Sequence, residues 1–118
     1  MITRPDKASS PDRHGAQRAE EMLTHAAAEF IVRQSNGTSL ITATRTEIKE
    51  KGRKAIVYVT VFPEDRLNTA LEFLNRQKDD FRDYLKTHAR LRDLPRVTFV
   101  FDEGERNRQR LDELGRAL

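Results

Sequence analysis

The chain has 118 residues, enough for one domain with one modest hydrophobic core. Charged residues make up 35% of it, above the roughly 25% of an average globular protein, yet the formal net charge is only +3 because acids are interspersed with bases. Cysteine is absent, which excludes disulfides and thiolate metal sites, and no apolar run approaches the roughly 20 residues of a membrane span. Composition therefore predicts a cytoplasmic protein without a membrane partner, and the mild basicity favours a polyanion.

The N-terminal 15 residues differ in composition from those that follow. They are rich in Pro, Asp, Ser, Arg and Lys and contain almost nothing apolar, which predicts a flexible arm. From Ala16 onward, apolar residues recur at three- and four-residue steps, as on one face of a helix. This helix is expected to end at Ser35, Asn36 and Gly37.

Two β-branched segments, Leu40–Ile48 and Ala55–Phe62, are predicted strands. Gly52 between them supplies the backbone freedom of a tight connection, so the pair is expected to form an antiparallel hairpin with a basic tip. Both faces of the second strand are partly apolar, which indicates a central or covered strand. The pattern of the first strand does not decide which of its faces is buried.

The second half of the chain is predicted to contain two helices, a strand and a helical tail. Pro63 opens the helical stretch, and a shift in the phase of its apolar stripe predicts a kink or break within residues 75–79. Pro95 separates the last basic helix turn from an alternating strand, in which Val97, Phe99 and Phe101 share one face. In the tail, the leucines are spaced for a short amphipathic helix.

These elements and several motifs resemble the ribosome-binding factor A family. The resemblance extends from about Ala16 to Leu114. It is carried by SLITATRTEI, by AIVYVTVF, by ALEFLNR, and most specifically by LKTHARLRDLPRVTFVFDE with its trailing RLDEL.

The resemblance implies an α+β fold, a single type II KH-like domain of order αββααβ, with a three-stranded sheet and helices on one face. The domain would span residues 16–103, after the arm of residues 1–15 and before a helical tail of residues 104–118. Members bind the small ribosomal subunit through its ribosomal RNA and assist its late maturation. The resemblance therefore implies an assembly factor that is not an enzyme, and we expect a monomer that uses no cofactor.

The chain departs from the family and from ordinary KH domains at two joints. Family members usually carry an Ala-x-Gly kink between the second and third helices, where this chain reads Gln77-Lys78-Asp79. The loop before the first strand is also shorter than usual. The chain contains no Gly-x-x-Gly motif, the phosphate clamp of common KH domains, so recognition of RNA shape and phosphate is expected instead.

Two groups of basic residues are the candidate RNA contacts. Arginine and lysine bind phosphate by charge, and arginine adds a two-pronged donor fork. The alternative is that these residues form the solvated faces of an ordinary charged domain. For Arg92 a further alternative is pairing with Asp93 or capping the helix end. The candidates are Arg45, Lys49, Lys51, Arg53 and Lys54 in the first strand and hairpin, and Arg82, Lys86, Arg90, Arg92 and Arg96 in the third helix and its exit.

Catalytic and metal chemistry have little support in the sequence. The histidines at positions 14, 25 and 88 are too scattered for a ligand set. Asp79, Asp80 and Asp83 alternate with bases at helical spacing, which is typical of surface charge pairing. A different class of function remains open: a small protein-interaction module that uses its first helix and its leucine-bearing tail.

Overall fold

The computed structural model describes residues 11–34, 37, 39–91 and 93–117. Two short 3-10 turns, Glu50–Gly52 and Glu64–Arg66, precede the second strand and the second helix. The helices and strands are α1 (Pro11–Gln34), β1 (Leu40–Lys49), β2 (Lys54–Phe62), α2 (Leu67–Arg76), α3 (Lys78–His88), β3 (Arg96–Phe101) and α4 (Glu103–Ala117). This is the predicted α+β order, αββααβ, followed by the predicted C-terminal helix.

Helix α1 begins at Pro11, within the segment that composition predicted to be an arm. Proline suits the first position of a helix, where its missing N–H needs no partner. The rest of the predicted arm, residues 1–10, lies outside the described residues. The predicted apolar stripe of α1 is buried in the core, at Leu23, Ala26, Ala27, Phe30 and Ile31.

Strands β1 and β2 form the predicted antiparallel hairpin. Its turn has left-handed backbone angles at Glu50, Lys51 and Gly52, with φ of 55°, 56° and 92°. A register shift between Ala43 and Arg45 marks a β-bulge. The bulge puts Ile41 and Ala43 on the same face as Thr46 and Ile48, and turns Arg45 and Glu47 to the other face.

The sheet has the order β1-β2-β3, with β3 parallel to β2. Its two edges are closed in part by helix side chains. On the β1 edge, Ile48 N–H donates to the Glu20 carboxylate at 2.9 Å. On the β3 edge, the Asn75 amide accepts from Phe99 N–H at 3.0 Å and donates to Phe99 C=O at 3.2 Å. Asn75 thus pairs with the edge strand as a neighbouring backbone would.

The helices cover one face of the sheet and enclose the core. Phe81 is fully buried at its centre, with its ring centroid 5.1 Å from Phe30 and 5.6 Å from Phe99. The β2 contribution is the alternating set Ala55, Val57, Val59 and Val61. The other face of the sheet is not covered by a helix of the described residues, and its central residues Ile56, Tyr58 and Thr60 are half-buried. Tyr58 therefore lies outside the core.

The predicted break between α2 and α3 falls at Gln77. Its φ of −92° and ψ of 5° lie outside the helical region but need no glycine. Gln77 N–H donates to the carbonyl oxygens of Phe73 and Leu74, and Gln77 C=O accepts from Phe81 N–H at 2.9 Å. The chain therefore keeps a kink between these helices without the Ala-x-Gly sequence.

The connection from α3 to β3 is longer than the sequence suggested. Helix α3 ends at His88, and Ala89 is extended, so Arg90 lies in the connecting loop and not on the helix. Leu91 and Leu94 pack against the core from this loop, and Pro95 is buried immediately before β3. Burial of these apolar side chains favours leaving the helix early.

Helix α4 starts from a buried cap. Asp102 is 2% exposed, and its carboxylate accepts from Glu105 N–H at 3.0 Å, the third residue of the helix. Within the part of the chain that the structure describes, no helix is long and apolar enough to cross a membrane.

Candidate nucleic-acid interface

A groove of about 260 Å³ lies between the turn of the hairpin, the start of α3 and the outer edge of β3. Lys54 comes from the hairpin, Lys78 and Arg82 come from α3, and Arg96 is the first residue of β3. Members of both predicted basic groups, distant in sequence, therefore meet at one surface.

Backbone pairing fixes these cations relative to one another. Lys54 and Arg96 are register partners in adjacent parallel strands. Arg96 N–H donates to the carbonyl oxygen of Arg53 at 2.9 Å, which ties the start of β3 to the hairpin. The Arg82 guanidinium donates to the carbonyl oxygen of Leu94 at 3.4 Å and so links α3 to the same region.

The groove has an excess of positive charge. Its lining includes four cations and two carboxylates, Glu50 and Asp79, a net of two positive charges. Glu50 is 3.9 Å from Lys54, an exposed pair that contributes little energy and can exchange for a phosphate contact. Lys78 was not among the predicted contacts, because its spacing on α3 suggested only charge pairing with neighbouring acids. Its place directly after the kink was the signal that could have identified it.

The remaining hairpin residues extend the positive surface beyond the groove. Lys49 is the register partner of Lys54 on the other strand, so Lys49, Lys54 and Arg96 form one row across all three strands. We call these three residues the cation row. Lys51 and Arg53 are exposed at the turn. The Arg53 side chain donates to the carbonyl oxygen of Glu50 at 3.3 Å.

Arg45 is engaged in a network on the uncovered face. Its guanidinium lies 3.7 Å from the ring centroid of Tyr58, 3.1 Å from a Glu47 carboxylate oxygen and 3.6 Å from Asp102. The Tyr58 hydroxyl donates to Glu47 at 2.8 Å. These contacts hold Arg45 in one orientation, so it is less available than the groove cations for a new phosphate contact.

The same network shifts the ionisation of its members. The hydrogen bond with Glu47 raises the pKa of Tyr58, and the hydrogen bonds from Tyr58 and Arg45 lower the pKa of Glu47. Burial acts to raise the pKa of Asp102, but the hydroxyl of Thr44, the N–H of Glu105 and the charge of Arg45 together leave that pKa lowered. Asp102 is thus an anion that joins α4 to β1.

The other predicted contacts lie apart from the groove or outside the described residues. The ammonium of Lys86 is 3.1 Å from Asp83 on an exposed turn of α3. Arg90 is exposed in the loop, where its backbone N–H approaches the sulfur of Met22 at 3.1 Å. Arg92, including its predicted pairing with Asp93, lies outside the described residues.

The family model of ribosome-binding factor A matches residues 15–115 of this chain. The chain belongs to the ribosome-binding factor A family. The ribosome-binding factor A of Thermodesulfovibrio yellowstonii is 30% identical over 101 residues, which cover 84% of this chain and 86% of that protein.

Solved structures of this family share the fold. The crystal structure of ribosome-binding factor A from Thermus thermophilus matches 72% of this chain and 93% of its own, with 29% identity and a TM-score of 0.65. A Thermus thermophilus homology model fitted into the cryo-EM map of a complex between the 30S subunit and ribosome-binding factor A matches 71% of this chain and 91% of its own, with 29% identity and a TM-score of 0.62. The family and the α+β fold that the sequence motifs predicted are therefore confirmed.

Metal-ligating side chains are not clustered in the described residues. Within residues 11–34, 37, 39–91 and 93–117, no cluster of three His, Asp or Glu side chains could hold a metal ion. His25 lies 3.7 Å from Glu29, and the His88 ring stacks on Tyr84 with centroids 3.8 Å apart. These two histidines therefore make local contacts on separate helices.

Proposed function

We propose that this chain binds the immature small ribosomal subunit through its ribosomal RNA and assists late processing and assembly of that subunit. The observation that carries the proposal is the meeting of Lys54, Lys78, Arg82 and Arg96 in one groove. Support also comes from the relative that was fitted into a map of a 30S complex, at 29% identity to this chain.

The groove suits the RNA backbone better than it suits base edges. Lysine and arginine contacts to phosphate release counterions, so affinity falls as salt concentration rises. The strands and the kinked helix pair fix the cations in position, and phosphate recognition of this kind requires no Gly-x-x-Gly loop. The chain would act as a monomer by binding energy alone, without a cofactor.

A second candidate function rests on the exposed leucines of α4. Leu111 is 66% exposed and Leu114 is 62% exposed, as in a helix that docks on a protein partner. The apolar stripe of α1, the other surface invoked for a protein-interaction module, is buried in the core. In a protein-interaction module, the partner would therefore bind the exposed leucines of α4 and not the apolar stripe of α1.

Sucrose-gradient fractionation of cell extracts separates the two functions. We expect the protein to sediment with free small subunits at low salt, to leave them as salt is raised, and to be absent from whole ribosomes. Sedimentation in a light protein complex, with none in the small-subunit fractions at any salt concentration, would contradict the proposal.

A further inference from the structure

The uncovered face of the sheet has an ordered arrangement of side chains that the groove does not explain. The cation row forms one end of this face. At the opposite end, Leu40 and Phe62 are register partners, and they are 66% and 71% exposed. Along β2, Phe62 is eight positions after Lys54, which at about 3.3 Å per residue is about 26 Å. The face is long enough for several nucleotides.

Two flat stacking surfaces lie on this face, one at the Phe62 end and one midway between the two ends. Phe62 presents an open aromatic ring, and Arg45 lies as a planar guanidinium over Tyr58 at 3.7 Å. Unpaired bases stack on aromatic rings and on arginine planes, and this stacking tolerates any sequence because every base has a π-face. The bases of a duplex are already stacked on one another, so such surfaces favour single strands.

Three threonines and one carboxylate lie near the stacking positions. Thr42 and Thr60 are register partners, and Thr98 lies on the same face of β3; their hydroxyls can donate to or accept from base edges and 2′-hydroxyls. Glu47 is the single carboxylate among the described β1–β3 residues of this face, and it is held by Tyr58, Arg45 and Lys49. The three positive charges of the cation row and the pairing of Glu47 favour a polyanion such as RNA as the occupant of this face.

We propose that the uncovered sheet face binds a single-stranded segment of RNA, with bases on Phe62 and Arg45 and phosphates on the cation row. This inference rests on the proposed function, because Lys54 and Arg96 also line the groove. The RNA would pass from the groove around the β3 edge onto the open face. The open face would then recognise unpaired nucleotides, in addition to the phosphate contacts of the groove.

The chain contains no tryptophan, which permits a direct test of stacking. In the full-length protein, Phe62→Trp places a single indole at the proposed stacking position. The probe is a short unstructured oligouridylate with a terminal fluorescein, and binding is followed by fluorescence anisotropy. In parallel, an unlabelled strand of the same sequence is titrated while tryptophan emission is recorded.

We expect saturable quenching of the tryptophan, with the same dissociation constant as the anisotropy signal. Inorganic polyphosphate, which has the charge but no bases, should bind without this quenching. The matched control is Val32→Trp, because Val32 is 76% exposed on α1 and lies outside the sheet; its emission should stay constant. Phe62→Ala should weaken oligouridylate binding about tenfold, and Val32→Ala should not.

The outcomes separate the two proposals. If the RNA binds by anisotropy but Phe62→Trp is quenched no more than Val32→Trp, the open-face site is wrong and the groove proposal stands. The same conclusion follows if the protein binds small subunits but not oligouridylate. If the protein binds neither oligouridylate nor small subunits, both proposals are overturned.

Discussion

The two faces of the sheet are built from alternating residues of the same strands, yet they differ in solvent exposure and in charge. On the covered face, Val57 and Phe99 are at most 2% exposed and meet an aromatic cluster around Phe81. On the uncovered face, Phe62 is 71% exposed and the cation row crosses all three strands. One side chain in two thus stabilises the fold, and the alternate side chains are available for the proposed contact with RNA. Substitutions on the uncovered face should therefore leave the core intact.

The comparison predicts opposite sensitivities to the loss of an aromatic ring. Phe81→Ala should lower the free energy of unfolding by about 3–5 kcal/mol, because it leaves a cavity at the centre of the core. Its matched control, Phe62→Ala on the uncovered face, should change that free energy by less than about 0.5 kcal/mol. Urea denaturation followed by circular dichroism measures both, and equal losses would remove the distinction between the faces.

The β3 edge lies between the two faces and gives the next largest effect. Asn75→Ala should cost about 1–3 kcal/mol of unfolding free energy, because Phe99 N–H and C=O lose the side chain that pairs with them. Hydrogen exchange at the Phe99 amide should accelerate with it. Asn68→Ala, on an exposed position of the same helix, is the control and should leave both quantities unchanged. Undiminished protection of Phe99 in Asn75→Ala would contradict this role.

The smallest effect concerns the anion that joins the uncovered face to α4. The pKa of Asp102 is lowered in the folded state, so its ionised form stabilises the fold above the unfolded pKa of 3.8, and this contribution is lost as pH falls through the folded value. Asp102→Asn should reduce the unfolding free energy near neutral pH by about 1 kcal/mol and flatten its decline below about pH 4.

The control for Asp102 is Asp83→Asn, which removes a carboxylate whose side chain is 70% exposed. This change should alter unfolding free energy by less than about 0.5 kcal/mol. Thermal or urea unfolding across a pH series provides the measurement. An acid decline as steep in Asp102→Asn as in the unsubstituted protein would show that the buried carboxylate does not contribute as described.

Local patterns in the sequence predicted the elements well. The 3.6-residue period of α1, the β-branched runs of the hairpin and the phase shift resolved at Gln77 all depend on neighbours in the chain, and all three predictions are confirmed. The bulge near Thr44 was not predictable, because a single extra residue reverses the alternation without changing composition. In the sequence, Arg45 and Glu47 alternate in phase with Ile41 and Ala43. The bulge explains why they nevertheless lie on the opposite face of β1.

The candidate site depended on tertiary contacts that no local pattern contains. The sequence identified Lys54 and Arg82 as basic candidates but could not show that they meet, since that depends on the parallel pairing of β2 with β3. It also missed Lys78, whose acidic neighbours suggested a solvated face. The end of α3 at His88 could not be predicted, because the arginines that follow it in the sequence are good helix formers. Packing of Leu91 and Leu94 against the core determines the path of the loop instead.

The proposed contact between the groove and ribosomal RNA is tested most directly by the affinity of the protein for purified immature small subunits across a salt series. The double variant Arg82→Glu/Arg96→Glu reverses two cations of the groove. Its control, Arg33→Glu/Arg66→Glu, makes the same change in net charge at the end of α1 and in the 3-10 turn after β2, outside the groove lining. Thermal melts establish that both variants fold.

The groove variant should bind at least about tenfold more weakly than the control at low salt. Its log affinity should also depend less steeply on log salt, because fewer phosphates are contacted. Equal affinities and equal salt slopes for the two variants would contradict the assignment of the groove to ribosomal RNA.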